Sequence, residues 1–499
     1  MNKLNINEII LKLSRPGENL SQRAARSSFW VFVLRIISQL FGLIRLFILA
    51  RILAPNDFGL LGIALLSMSI LVTFSETGFE SALIQKKKNV EAYLDVAWTI
   101  LIIRGFVLFI FLYLISPYTA RFFNAPEAEP IIQVIGLSLL LQAFKNIGVI
   151  YFMKELEFRK QFVYQFSGVL ADFIVAVSFV FIFKNVWALV FGLLAGNATM
   201  LVVSYIIHPF RPHFSFDLGK ARELSDYGKW IFGSSILVFF LTHGDDIVVG
   251  KILGATALGF YQMAYRISNM PSTEITNILS NVTFSLYSKL QDEISKIRDT
   301  FLKVLQLTTF FSFPIAGLIF VLAQDFTMIF LGEKWMPMVP AMHVLVLWGV
   351  IRGMVGAMSP VFMSIGKPKI VTKLQTIQTI LLFILIYPLT VKWGIVGTSL
   401  AVLLSALLMF FIRNHILIKT IKCEIWVFYR PILFPLISTI ISILFTLYFK
   451  SLVAYSINIY YFIIYAGIFV LVYISSSYIA DKFSNYEMRT ILKESLNRF

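Results

Sequence analysis

Six basic side chains of this sequence lie inside long apolar segments, where an isolated charge is costly. They are Arg35, Arg45, Arg104, Lys145, Arg266 and Arg352. At the centre of a bilayer each costs at least about 2.5–3.5 kcal/mol, so such residues normally face protein or water. Guanidinium groups bind phosphate through paired, charge-assisted hydrogen bonds. The pattern therefore predicts an anionic ligand, bound in a water-filled cavity.

The six residues differ in their positions along these segments. Arg35 and Arg266 are expected near or above the middle of their segments, in opposite halves of the chain, and Arg352 is the third choice. For the other three, reaching to the membrane surface or pairing with an acid is an equally good explanation. A cavity dominated by arginine would also repel cationic drugs, which argues against a multidrug exporter.

Acidic side chains also occur inside the apolar segments. They are Glu76, Glu80, Asp172, Asp245, Asp246 and Glu274. Acids at this depth relay protons, ligate sodium or neutralise an arginine, and ion pairing is favoured for any single one. The stretch THGDDIVVG at 242–250 lacks the convergent ligands of a metal site. We expect no metal and no cofactor, and coupling to H⁺ or Na⁺ stays open.

The sequence lacks the common catalytic motifs. It contains no Walker motif, no HExxH, no nucleophile elbow and no Gly-rich phosphate loop. The longest gap between apolar segments has only about 20 residues, which is too short for a catalytic domain. The single Cys423 excludes an intramolecular disulfide. An enzyme is therefore not expected.

Composition indicates which elements position these side chains. Of the 499 residues, 58% are hydrophobic and only 14% are charged, which is typical of a polytopic membrane protein. Apolar runs of about 20 residues can cross the hydrocarbon layer as helices. We predict fourteen spans, at 28–50, 58–82, 96–118, 131–151, 163–183, 186–208, 230–250, 257–285, 302–323, 338–364, 371–391, 393–412, 431–449 and 458–480.

Basic residues alternate between the gaps that separate these spans. Every second gap holds three to five Lys or Arg residues, whereas each of the others holds a single one. Because cytoplasmic loops carry the excess of positive charge, both termini are predicted to be cytoplasmic. The net charge of +16 follows from this distribution, so we expect no nucleic-acid partner.

One hairpin sequence occurs twice. ARILAPNDFGLLGIA at 50–64 and GKILGATALGFYQMA at 250–264 each join two spans on the outside. Six spans separate the copies, so the two halves have the same orientation, unless the similarity is chance. The predicted fold is all-α, with two pseudo-symmetric six-helix lobes and two C-terminal helices. The predicted segments are an amphipathic cytoplasmic N-terminus (1–27), an N-lobe (28–208), a cytoplasmic linker (209–229), a C-lobe (230–412), spans 13 and 14 (413–480) and a cytoplasmic tail (481–499).

Three motifs resemble those of a known transporter family. They are ARILAPNDFGLLGIALLSMSILVTFSETGFESALIQKKK at 50–88, FLGEKWMP at 330–337 and SIGKPK at 364–369. They are similar to the polysaccharide transporter branch of the multidrug/oligosaccharidyl-lipid/polysaccharide superfamily, the Wzx-type flippases. Within it, A-R-x-L-x-P-x-D-F-G followed by G-x-x-x-A-L-I-Q resembles the colanic acid and teichuronic acid exporters.

The resemblance implies a specific activity. Members of this branch move undecaprenyl-pyrophosphate-linked oligosaccharides from the inner to the outer leaflet of the bacterial cytoplasmic membrane, through a V-shaped cavity between two lobes. Peptidoglycan-precursor flippases of the superfamily use cavity arginines on spans 1 and 8. Arg35 and Arg266 lie on the same two spans of this sequence, although no motif aligns the individual positions. Ion coupling is likewise implied by the superfamily.

Three alternative functions remain open beside the flippase. A lipid II flippase, a drug or cation antiporter of the same fold and a membrane scaffold remain as alternatives. An antiporter predicts an acid-dominated cavity, and a scaffold predicts no cavity. Expected partners are the lipid-linked oligosaccharide, membrane lipids, and a polysaccharide polymerase and glycosyltransferases.

Overall fold

The computed structural model describes the backbone of residues 20–76, 83, 90–155, 157–453 and 457–484. Within these ranges, side chains are described from residue 33 onward, except at 218, 224–235, 270–282, 284–285 and 483–484. Every regular element in the described part of the chain is a helix. Two compact units divide the chain, Met1–Ile236 and Leu237–Phe499, called unit 1 and unit 2 below.

Seven α-helices in the described part of the chain belong to unit 1. They are α1 (Leu20–Ile52), α2 (Pro55–Phe74), α3 (Glu91–Phe122), α4 (Ala128–Ala143), α5 (Ile150–Lys154), α6 (Phe158–Phe183) and α7 (Trp187–Ile207). Helix α8 (Leu218–Lys289) begins in unit 1 and continues into unit 2. The remaining helices are α9 (Ile294–Phe326), α10 (Val339–Ser364), α11 (Pro368–Thr420), α12 (Ile425–Leu452) and α13 (Ile459–Ser484).

The fourteen predicted membrane crossings stay a prediction. Among the described residues, ten helices are long and apolar enough to cross a membrane, and an eleventh crossing results if α4 and the segment Ile147–Lys154, bent by 72°, form one span. Helix α11 has 53 residues, about 80 Å at 1.5 Å per residue, so it is too long for one crossing. Its backbone leaves the helical region at Trp393 and Gly394, which are the first two residues of the predicted span 393–412. The chain is a multi-pass membrane protein, and its orientation stays a prediction.

The duplicated hairpins break their helices at the same aligned position. In the first copy Ala54 is extended (φ −78°, ψ 156°), and Pro55 begins α2. In the second copy Gly254 has φ 85° and ψ 178°, a conformation that glycine adopts without strain. Proline and glycine therefore end the helix at one position by different means. This agreement favours an internal repeat, and superposition of the two lobes stays a prediction.

Asp57, in the first copy, ties two turns of unit 1 together. Its Oδ2 accepts a hydrogen bond from the Ala54 backbone N–H (2.9 Å), and its Oδ1 accepts one from the Val186 N–H (3.0 Å). Ala54 precedes α2, and Val186 precedes α7. The P-x-D-F-G motif therefore has a structural role, because one carboxylate satisfies backbone donors at two helix starts.

Asp57→Ala is therefore expected to lower the stability of the protein by about 1–3 kcal/mol, because two backbone donors lose their acceptor. Unfolding of the purified protein in detergent measures the change. Asp57→Asn is the matched control, since its amide oxygen retains one acceptor and should leave a smaller loss. An Asp57→Ala protein that unfolds like the wild type would contradict this role.

Candidate functional site

Arg35 lines a cavity in unit 1 whose wall carries several polar side chains. The cavity has a volume of about 410 Å³, and its lining includes Arg35, Ser38 and Gln39 from α1 and Gln165 from α6. The Arg35 side chain is half-buried. A guanidinium that shares a cavity with a hydroxyl and two amides offers hydrogen-bond donors to an anion. This space is called the Arg35 cavity.

Arg104 and Lys145 line a second cavity of unit 1, of about 370 Å³. Gln165 lines this cavity as well as the Arg35 cavity. Three of the six basic residues that lie inside apolar segments therefore border cavities that share one glutamine. The second space is called the Arg104–Lys145 cavity. From the sequence, Arg104 and Lys145 were each expected to reach the membrane surface or to pair with an acid. The sequence did not predict that the two residues line one cavity.

Lys145 lies at a break in a span. Helix α4 ends at Ala143, and a 3₁₀ turn at Ile147–Val149 leads into α5. Buried Asn146 makes this break, since its Oδ1 accepts from the Gly148 N–H and its backbone N–H donates to Ser204 Oγ. Broken helices at membrane depth are tolerated where freed backbone groups are satisfied and the backbone lines a cavity.

Arg45 lies in a different environment from the cavity residues. Its Nη2 is 3.0 Å from Asp172 Oδ1, and the two side chains are 19% and 24% exposed. Gly192 of α7 packs against this acid, because a Cβ there would lie 2.8 Å from Asp172 Oδ1. The pair joins α1 to α6, so each charge has an opposite partner inside unit 1. This is the ion-pairing arrangement considered for Asp172.

In unit 2, Arg352 is held by two aromatic residues. Its Nη1 donates to the Tyr265 hydroxyl at 3.3 Å. Its guanidinium carbon lies 5.3 Å from the centre of the Trp348 ring, within range of a cation–π interaction. The Tyr265 and Trp348 rings are themselves 5.1 Å apart. The guanidinium therefore has a fixed position on α10.

Asp245 is one of the most buried acids described in unit 2. It is 3% exposed, and its Oδ2 accepts a hydrogen bond from the Tyr261 hydroxyl at 2.6 Å. Asp246 is half-buried, and its Oδ2 lies 3.7 Å from His243 Nδ1. Tyr261 and Tyr265 have ring centres 6.2 Å apart. The two tyrosines thus link buried Asp245 to the aromatic support of Arg352.

The remaining predicted residues are less defined. Arg266 is exposed on α8, and Glu76 is exposed two positions beyond the end of α2. Glu80 and the side chain of Glu274 lie outside the described residues. Pairing of Arg266 with Glu274, or of Arg35 with Glu76, therefore stays a prediction.

The sequence did not indicate one buried ion pair of unit 2. Lys450 Nζ is 2.6 Å from Asp325 Oδ2, and the two side chains are only 12% and 3% exposed. The ammonium also lies 5.3 Å from the centre of the Tyr465 ring. In the sequence, Lys450 is the single basic residue of an outside gap, and Asp325 follows a predicted span. Only their opposite charges at the same membrane side could have suggested the contact.

A family model and several curated proteins match this chain. The model is described as "Polysaccharide biosynthesis protein", and it matches residues 48–340. The lipopolysaccharide biosynthesis protein WzxC of Escherichia coli (strain K12) is 25% identical over 81% of this chain and 82% of its own length. The teichuronic acid biosynthesis protein TuaB of Bacillus subtilis (strain 168) is 26% identical over 73% of this chain and 76% of its own length.

Solved structures share the fold at low sequence identity. The lipid II flippase MurJ, in an inward closed conformation, superposes with a TM-score of 0.73 and 16% identity, covering 90% of this chain and 98% of that one. An inward-facing multidrug resistance transporter of the MATE family, from the MOP superfamily, gives a TM-score of 0.62 and 14% identity, covering 79% of this chain and 99% of that one.

Proposed function

We propose that this chain, which belongs to the polysaccharide biosynthesis protein family, is a flippase for lipid-linked oligosaccharides. The substrate is an undecaprenyl-pyrophosphate-linked repeat unit, which it moves across the bacterial cytoplasmic membrane. The names of its relatives support this reading, since they refer to lipopolysaccharide and teichuronic acid biosynthesis. The fold shared with the lipid II flippase MurJ is compatible with a lipid-linked cargo.

The single observation that carries the proposal is the Arg35 cavity. A half-buried guanidinium in a membrane protein normally faces water, protein or ligand. In this cavity the pyrophosphate of the substrate binds Arg35 through paired hydrogen bonds. Arg35 of unit 1, with Arg266 and Arg352 of unit 2, binds this group while the prenyl tail stays in lipid.

Transport proceeds by alternating access, in which two lobes rock about the binding site. Coupling to H⁺ or Na⁺ is part of the proposal. Asp245 is the acid best placed to couple, because it is buried and its carboxylate accepts hydrogen bonds from the Tyr261 hydroxyl and the Asp246 backbone N–H. Asp172 is a weaker choice, since Arg45 already neutralises it. Polysaccharide polymerase and glycosyltransferases are the expected partners in the membrane.

Deletion of the gene tests this function. The mutant strain should lose surface polysaccharide and accumulate lipid-linked oligosaccharide in the inner leaflet, which leaflet-specific labelling of the sugar detects. Expression of the wild-type chain should restore both. Accumulation of lipid II with normal surface polysaccharide would identify a peptidoglycan-precursor flippase instead. Drug sensitivity with no change in either lipid would identify a drug antiporter.

A further inference from the structure

We propose that the Arg104–Lys145 cavity is a second anion site, which binds the phosphate headgroup of a prenyl lipid before that group reaches Arg35. The identity of the lipid rests on the proposed function, whereas the binding of a phosphate group at this cavity does not. The proposal assigns a role to two basic residues for which acid pairing was the alternative.

The charge of the cavity is the first argument. Among the described residues that line it, two are basic, and none is Asp or Glu. Gln142, Gln161 and Gln165 add amide donors to the same wall. A cavity with this lining attracts anions and repels cations.

The rigidity of the cavity is the second argument. Arg104 donates from Nε to Ser75 Oγ at 3.1 Å and from Nη2 to the Val72 carbonyl at 2.9 Å, so its guanidinium is anchored at the end of α2. The Lys145 carbonyl accepts from Trp98 Nε1 at 3.1 Å. The Arg104 guanidinium and the Lys145 backbone are therefore held in place, which lowers the entropy cost of binding.

The helix break beside the cavity is itself built from side chains. The Phe144 carbonyl, freed by the end of α4, accepts from the Tyr205 hydroxyl at 3.0 Å. Asn146 Nδ2 donates to the Phe210 carbonyl at 2.6 Å. Close packing continues at Gly105, where a Cβ would lie 2.5 Å from Ala143 Cβ. Transporters place broken helices of this kind at their substrate sites.

The size and position of the cavity fit a headgroup. Its volume of about 370 Å³ falls in the range of small-molecule sites, which suits a phosphate or pyrophosphate better than a sugar chain. Its wall includes Met153, next to the basic gap 154–160 that is predicted to be cytoplasmic. Gln165 lines both cavities, so an anion that enters here is adjacent to the Arg35 cavity.

Binding of farnesyl pyrophosphate to the full-length protein tests the proposal. The protein is placed in phosphatidylcholine nanodiscs, and titration compares the wild type with Lys145→Gln, Lys145→Arg and Arg104→Gln. Lys145→Gln and Arg104→Gln should each weaken binding about tenfold or more, because each removes a charge-assisted hydrogen bond. Lys145→Arg should bind like the wild type, which also shows that position 145 tolerates substitution. Arg159→Gln, an exposed residue of α6, is the control for net charge.

The outcomes separate this site from the proposed function. Equal affinity of wild type, Lys145→Gln and Arg104→Gln would overturn the site, even if deletion of the gene stops polysaccharide export. A second arm repeats the titration in phosphatidylglycerol nanodiscs. Complete competition by phosphatidylglycerol, lost in Lys145→Gln, would overturn the prenyl lipid assignment and identify a membrane-lipid site. If Lys145→Gln and Arg104→Gln weaken farnesyl pyrophosphate binding but deletion of the gene leaves polysaccharide export normal, the anion site is supported and the flippase function is rejected.

Discussion

A strain whose only copy of the protein carries Arg35→Ala and Arg266→Ala is expected to export no detectable surface polysaccharide. If both arginines bind the pyrophosphate as proposed, each substitution removes charge-assisted hydrogen bonds worth about 1.5–3 kcal/mol, so together they should reduce substrate affinity by about 100-fold or more. Surface polysaccharide is measured in the deletion strain complemented with each variant. Membrane levels of the protein, measured by immunoblot, should stay normal.

Lysine variants separate substrate binding from simple charge compensation. Arg35→Lys keeps the charge but loses the planar fork, so a pyrophosphate-binding residue should lose much of its activity, whereas a residue that only neutralises an acid should tolerate the change. Arg121→Ala, in the last turn of α3, is the matched control for loss of one arginine. Normal export by the double alanine variant would reject both residues as ligands, and Arg352 would then be tested in the same strain.

The second large effect concerns the buried pair of unit 2. Lys450→Met should reduce the free energy of unfolding by about 3–5 kcal/mol, because it leaves the Asp325 carboxylate buried without its cation. The expectation follows from the 2.6 Å contact and from the 3% exposure of Asp325. Unfolding in detergent, followed by tryptophan fluorescence, measures the loss.

A double variant gives the control for this pair. Lys450→Met with Asp325→Leu removes both charges, and replacing a buried ion pair by apolar side chains is often neutral, so stability should return close to that of the wild type. Lys392→Met removes an exposed lysine of α11 and should have little effect. A double variant as unstable as Lys450→Met alone would show that the ion pair is not the cause.

Several features of the protein could be predicted from the sequence because they depend on local chemistry. Long apolar runs predict helices, and the all-α fold is confirmed. The P-x-D-F-G motif predicted the Wzx-type family, which the match over residues 48–340 confirms. The breaks at Ala54 and Gly254 lie in predicted gaps, since proline and glycine limit backbone conformation at their own positions.

The partners of the buried charges could not be predicted in this way. Arg45 and Lys145 look equivalent in the sequence, yet Asp172 neutralises the first, and the second lines a cavity. Asp325 and Lys450 were assigned no site role, although they form a buried ion pair 125 positions apart.

The physical reason is the range of the interactions involved. Helix formation and chain reversal depend on neighbouring residues, so the sequence by itself determined the helical class and the breaks at Ala54 and Gly254. The interaction partner of a charged side chain at membrane depth depends on which other helices place a side chain within about 4 Å of it. Only the tertiary structure brings α1 against α6 and α9 against α12, so it alone decided which charges are cancelled and which basic residues border a cavity.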